Sequence, residues 1–282
     1  MRIYLISKYL IFFLTTIIIL FISLTKSLSE ENVFTINNVK VKGTIDVNFT
    51  REKYFNKAFL NSFEILMNKI LLTRDLKKID DVKLKEIKNL ISNFQIIEES
   101  YSEDMYRANI KISYRENKIK YFLGKRNISF SSPENISAVF FPVFFIDNEI
   151  QNFNENYFYT NWSEVKIKNE LINFILPIED LDDIAEITKM KNNIEDLDVV
   201  TLVNKYDQKN YVFALISYKE KNLNIYIKTN FNNNKTSKNI LYKIKNIRDE
   251  SELNIILKDL KLKVTDLWKE QNLVNLLMPL TL

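Results

Sequence analysis

The stretch "LPIEDLDDIAE", residues 176–186, gathers Glu179, Asp180, Asp182, Asp183 and Glu186. Carboxylates this dense can hold a divalent cation through hard oxygen ligands, or take and give protons. A calcium loop, however, alternates its ligands along a glycine-containing turn, and here Leu181 and Ile184 interrupt the run with core-type side chains. The same spacing also starts a helix. Asp180 stands where an N-cap belongs, Asp183 three residues on completes a capping box, and the acids that follow lie by the positive end of the helix dipole. The reading adopted is the helix start: Asp180 and Asp183 are structural caps, and no residue is assigned to a metal.

Most other catalytic vocabulary is missing. A chain without His or Cys has no histidine-based triad, no thiol nucleophile, no redox dithiol and no zinc site built on His or Cys. Gly43 and Gly124 are its two glycines and stand alone, so neither a phosphate loop nor a dinucleotide fingerprint can be written. Ser163-Glu164-Val165-Lys166 fits Ser-x-x-Lys but lacks the Lys-Thr-Gly and Ser-Asp-Asn partners of the penicillin-recognising enzymes. Glu98, Glu99, Glu103 and Asp104 surround a hairpin and suggest a glycosidase-like carboxylate pair. Adjacent strand residues point to opposite faces, so Glu98 and Glu99 cannot share a pocket. No catalytic residue and no cofactor follow.

"NYFYTNW" offers a binding surface instead. Tyr157, Tyr159 and Trp162 combine apolar area with a polar handle, which suits a groove for peptide or glycan; the alternative is that they dock a loop onto the core. They are the candidate binding residues.

The elements that must position these groups follow from periodicity. Val33–Val47 reads as a strand, turned or bulged at Gly43. From the cap Thr50, the spacing of Phe55, Ala58, Phe59, Phe63, Leu66 and Ile70 predicts a helix to about Leu72, and Asp80–Ile91 predicts a second. Phe94–Tyr101 and Met105–Tyr114 form a hairpin, a short helix runs from Glu116 to about Lys125, and Ser131-Ser132-Pro133 is a linker. Beyond it, "AVFFPVFFI" (Ala138–Ile146) reads as a strand covered on both faces, with Pro142 the awkward residue. Helices are expected over Asn161–Glu170, Asp180–Asn192, Glu195–Tyr206 and Ser251–Gln271, and strands over Leu171–Ile178, Tyr211–Tyr218 and Leu223–Thr229. "NFNNNKTSKN" reads as a loop by composition. The fold class is α+β / α/β: an N-terminal β-α-α-β-β-α domain over 30–132, then an α/β layer domain over 133–282.

Residues 1–29 have the shape of a secretory leader: Arg2 and Lys8, an uncharged stretch Tyr9–Leu24, then small residues before Glu30. The chain is therefore expected to be exported, and touches a membrane only through residues 9–24 if the leader is not cleaved. The absence of cysteine suits a bacterial periplasm. Without the leader's Arg2, Lys8 and Lys26, the chain carries 37 basic against 36 acidic side chains, which is not the footprint of a nucleic-acid binder. Lys118, Lys120, Lys125 and Arg126 then read as a solvated helix end.

The chain resembles the bacterial family called domain of unknown function 2066. Three stretches carry the likeness: "FTINNVKVKGTIDVNFTREKYFNKAFLNSFEILMNKIL", "VFFPVFFIDNEIQNFNENYFYTNW" and "FILPIEDLDDI". Phe153 stands where the pattern carries Trp, and Glu179 where it carries Gly. The likeness implies an exported bacterial protein and supplies no activity. The first domain is also similar to small strand-and-helix modules of envelope assembly proteins, and the second to the N-terminal domain of the translocation protein TolB. Together these readings lead to a non-catalytic periplasmic protein that binds another envelope component, a protein or a glycan. The alternative is a carboxylate-dependent hydrolase acting on an envelope polymer.

Overall fold

The computed structural model describes residues 32–178, 180–190, 193 and 197–274; the expected leader and Glu179 lie outside these residues. The chain is α+β; its described residues form a three-stranded antiparallel sheet, a six-stranded mixed sheet and a two-stranded antiparallel pairing.

The first sheet has the order β1–β3–β2 and is antiparallel throughout: β1 is Thr35–Thr44, β2 Ile91–Ser102 and β3 Met105–Tyr114. Helix α1 (Arg51–Ile70) lies on one face of it. Thr50 Oγ1 accepts the Lys53 N–H at 3.3 Å and so satisfies one orphan donor at the helix start. Ala58, Phe59, Phe63, Leu66 and Ile70 then fall on one side of α1 and meet Val39, Val41, Ala108, Ile110 and Ile112 from alternate strand positions. Each large apolar side chain taken out of water contributes roughly 1.5–3 kcal/mol. A 3-10 helix (Thr73–Ile79), α2 (Leu84–Leu90) and α3 (Glu116–Gly124) complete this half.

Gly43 is not the bulge. The register of β1 shifts between Ile36 and Val39, where Asn38 takes φ 57°, while Gly43 continues the ladder opposite Tyr106. Gly43 is needed for space: a Cβ there would stand 2.3 Å from Tyr54 Oη, whose hydroxyl donates to the Thr44 carbonyl at 2.9 Å.

The second sheet runs β10–β9–β8–β5–β6, with β7 also beside β5. Its strands are β5 (Ile136–Ile146), β6 (Glu149–Ile150), β7 (Ile172–Ile175), β8 (Tyr211–Lys219), β9 (Asn222–Phe231) and β10 (Asn234–Lys243). β5 is parallel to β7 and β8 and is covered on both faces. Ala138, Phe140 and Phe144 pack with α7 (Glu250–Gln271); Val139, Phe141, Val143 and Phe145 pack with α5 (Leu181–Met190) and α6 (Val199–Asn204). Pro142 fits because β7 pairs only with 136–139 and β6 only with 145–146. In the gap between them, buried Asn156 donates to the Pro142 carbonyl at 3.0 Å, so the proline's missing N–H points where no strand needs it.

Two expected elements are different in the structure. Asn161–Glu170 is turn and coil; the helix there is the single turn α4 (Tyr157–Thr160), capped by Asn156. Trp162 and Val165 are too few to make a helical stripe, and their carbonyls bind the ammonium of Lys261. "NFNNNKTSKN" is not a loop but a hairpin: Asn232 and Asn233 make a two-residue turn at φ 50° and 69°, and Asn234 onward is β10. No apolar stripe announces the 3-10 helix, and α2 starts at Leu84 instead of Asp80, because Asp80 closes the 3-10 helix and residues 81–83 make the turn into α2.

The short β11 (Leu273–Val274), just after α7, pairs with β4 (Phe130–Ser131), so the end of α7 returns to the chain segment between the two sheets.

Candidate functional site

The acidic run at 180–186 starts α5. Asp180 Oδ1 accepts the Asp182 N–H at 2.9 Å, and its carbonyl accepts the Ile184 N–H at 3.1 Å. Asp183 does not close a capping box; its carboxylate takes Lys205 Nζ, as does Asp180 Oδ2 at 2.7 Å. The Lys205 hydrogen bond, helped by the Asp182 N–H, holds the Asp180 carboxyl below its ordinary range. Burial pulls the Lys205 ammonium down, but its bonds to Asp180 and Asp183 outweigh that and hold it up. The arrangement fastens α5 to the end of α6. Among the described residues no group of three or more acids is placed to hold a metal.

The aromatic candidates dock their segment onto the second sheet. Trp162 is 1% exposed and stacks on Phe140 with ring centres 3.6 Å apart, so it lines no groove. Tyr159 stacks on Phe153 at 4.5 Å and donates to the Pro177 carbonyl at 2.8 Å; Tyr157 donates to the Glu250 carbonyl at 3.1 Å. Both hydroxyls are spent on backbone acceptors of the chain itself.

The hairpin carboxylates separate as the pleat requires: Glu98 lies opposite Asn109 on the outer face, and Glu99 opposite Ala108 on the helix side. Glu99 receives a fork from Arg51, Nε at 2.8 Å and Nη2 at 2.7 Å, together with the hydroxyls of Tyr106 at 2.6 Å and Tyr101 at 3.2 Å. The Tyr106 bond is the largest cause of a carboxyl held below its ordinary value, while burial and then Glu99 push Tyr106 up to about 12. A carboxylate with four donors is a poor base and its tyrosine a poor acid at neutral pH. The cluster ties β2 to the first residue of α1. Glu64 and Asp80 both line a groove of about 460 Å³ beside α1, but Glu64 is ion-paired with Lys168.

Among the described residues no strand pairs with the outer edge of β2 in the first sheet. β2 is an outer strand of twelve residues, none of them buried. Phe94, Ile97 and Tyr101 stand 43%, 48% and 54% exposed along it. The other long outer strands carry lysines, which discourage pairing: Lys40 and Lys42 on β1, and Lys235, Lys238 and Lys243 on β10. β2 has no Lys, Arg or Pro, in a chain with 40 Lys and Arg. That gap in the basic residues was the signal available in the sequence, but strand order is needed to see that it falls on an edge.

No protein-family model matches the chain, and no curated protein matches it significantly.

Proposed function

We propose that the protein is an exported, non-catalytic binding component of the bacterial envelope that takes an extended segment of another envelope protein onto the free edge of β2. The observation that carries this reading is a long outer strand without Lys, Arg or Pro, interrupted only by the register shifts at Ser92 and Ile97. An outer strand offers a row of unpaired N–H and C=O groups, and strand addition uses them for affinity and the flanking side chains for selectivity. Phe94, Ile97 and Tyr101 supply apolar contacts along that row. The leader-like residues 1–29 support export, and the absence of cysteine suits the periplasm. The likeness to the uncharacterised family belongs to the same reading, as does that of 133–282 to the N-terminal domain of TolB; a sheet covered by helices on both faces supports the latter.

Photocrosslinking tests the edge. A benzophenone side chain in place of Ile97 is expected to capture a second envelope protein through an extended segment, while the same probe at Leu241 on β10 captures none. Ile97→Lys is expected to abolish binding of that partner. An adduct only with another copy of this chain, or equal capture from both positions, overturns the proposal.

A further inference from the structure

The sheet β1–β3–β2 has a second face, turned away from α1, where Lys40, Lys42, Glu98, Ser100 and Arg107 stand exposed. With Val41, Ala108, Asn109 and Glu99, whose carboxylate is already neutralised by Arg51, they line a depression of about 720 Å³, a size suited to a ligand of a few rings. Lys42 lies directly opposite Arg107, and Arg107 opposite Ser100; Lys40 lies opposite Asn109, and Asn109 opposite Glu98. Neither the three cations nor Glu98 forms an ion pair with a described residue. Like charges directly across a ladder are destabilising, so the Lys42–Arg107 pair costs the fold something and leaves a field that an anion would neutralise.

We propose that this face binds an acidic glycan, a polymer whose sugar rings carry carboxylates. Arg107 presents a planar fork that matches a carboxylate in two hydrogen bonds. Lys40 and Lys42, two residues apart on one strand, set their side chains about 7 Å apart, so they engage anions on successive units of an extended polymer. Ser100 and Glu98 lie among the cations, the hydroxyl able to donate or accept and the carboxylate to accept from ring hydroxyls, while Asn109 Nδ2 is spent on Asn38 Oδ1 at 3.3 Å. Glu98 favours a ligand with hydroxyls, because its carboxylate accepts from a ring hydroxyl that polyphosphate and polyglutamate do not carry. No aromatic side chain lines the depression, so a neutral sugar finds no ring to pack on. An acidic peptide offers carboxylates to the cations but no ring hydroxyls to Ser100 and Glu98.

Calorimetric titration of the full chain at low salt tests this, with polygalacturonate, polyglutamate, inorganic polyphosphate and neutral dextran as probes. Polygalacturonate is expected to bind most tightly and dextran not at all. Lys42→Glu forms an opposite-charge pair with Arg107, so it keeps the fold, and it is expected to weaken polygalacturonate by about tenfold or more. Lys238→Glu on β10 is expected to leave it unchanged, as is Ile97→Lys, which separates this face from the β2 edge. Absence of polygalacturonate binding, binding indifferent to Lys42→Glu, or equal or tighter binding of polyphosphate or polyglutamate overturns the proposal.

Discussion

The ammonium of Lys269, late in α7, lies 2.7 Å from the carbonyl oxygen of Leu71, the C-cap of α1, 198 residues away in the chain. It also donates to the Asn68 carbonyl at 2.6 Å. These are acceptors that the end of α1 leaves without partners, and a cation there meets the negative end of the helix dipole. Asp266, three residues earlier on α7, accepts the Thr73 N–H at 3.1 Å at the start of the 3-10 helix. One helix of the second half thus places a cation on the end of α1 and a carboxylate on the start of the next turn, and so holds the Leu71–Leu72 break in place. Lys261, two turns back, does similar work with the carbonyls of Trp162 and Val165 and with Glu170.

Lys269→Met keeps the apolar stem and removes the donors. Lys269 is 4% exposed, so two enclosed carbonyls lose their partner. The expected loss is about 2–4 kcal/mol in urea unfolding, against less than about 0.5 kcal/mol for Lys168→Ala, whose pair with Glu64 is exposed. Burial also holds the Lys269 ammonium down to about 8, from 10.5. As pH rises above 8, the folded chain releases a proton that the unfolded chain still binds, so this group makes stability rise with pH. Between about pH 8 and 10 the wild type should gain stability relative to Lys269→Met. A constant difference across that range would count against the buried cation.

Glu99 makes the opposite prediction at acid pH. Its folded value lies below 4.5, through the Tyr106 hydroxyl first and the Arg51 fork next. Its contribution is therefore present above 4.5 and lost as pH falls through the lower folded value. Glu99→Gln should be less stable than wild type at neutral pH, and the gap should close below 4.5. The same change removes a cause of the raised Tyr106 value, so one tyrosine should ionise earlier in an absorbance titration. If the tyrosine titration is unchanged, Glu99 does not hold Tyr106.

Much of this fold is written in local pattern. The stripe of α1, the β2–β3 hairpin, the all-apolar β5 and the face of α7 follow from spacings of two and three to four, and Thr50 and Asp180 act as caps within three residues of what they cap. The rest depends on partners distant in sequence. Lys261 and Lys269 look like solvated cations until the carbonyls they bind are known, and Lys205 lies 22 residues from the Asp183 it holds. "NYFYTNW" had the composition of a binding surface, but only the stack on Phe140 assigns Trp162 to the core. The open edge of β2 follows from strand order, which no single segment encodes.

The turns of the second sheet are legible only in conformation, because a chain with two glycines must build them from other residues. Asp147-Asn148, Glu220-Lys221 and Asn232-Asn233 each join two strands through a two-residue loop with both φ angles positive. Such loops match the right-handed twist of the strands, but a side chain with a Cβ is strained there, Asn and Asp least. Lys221, at φ 63°, has no local hydrogen bond of the Asn kind to relieve it. Lys221→Gly should therefore raise the unfolding free energy by about 0.5–1 kcal/mol, net of the extra freedom glycine gives the unfolded chain, and Asn233→Gly by less. Thermal unfolding of both variants checks the order. If Asn233→Gly gains as much as Lys221→Gly, the strain is not a matter of the side chain.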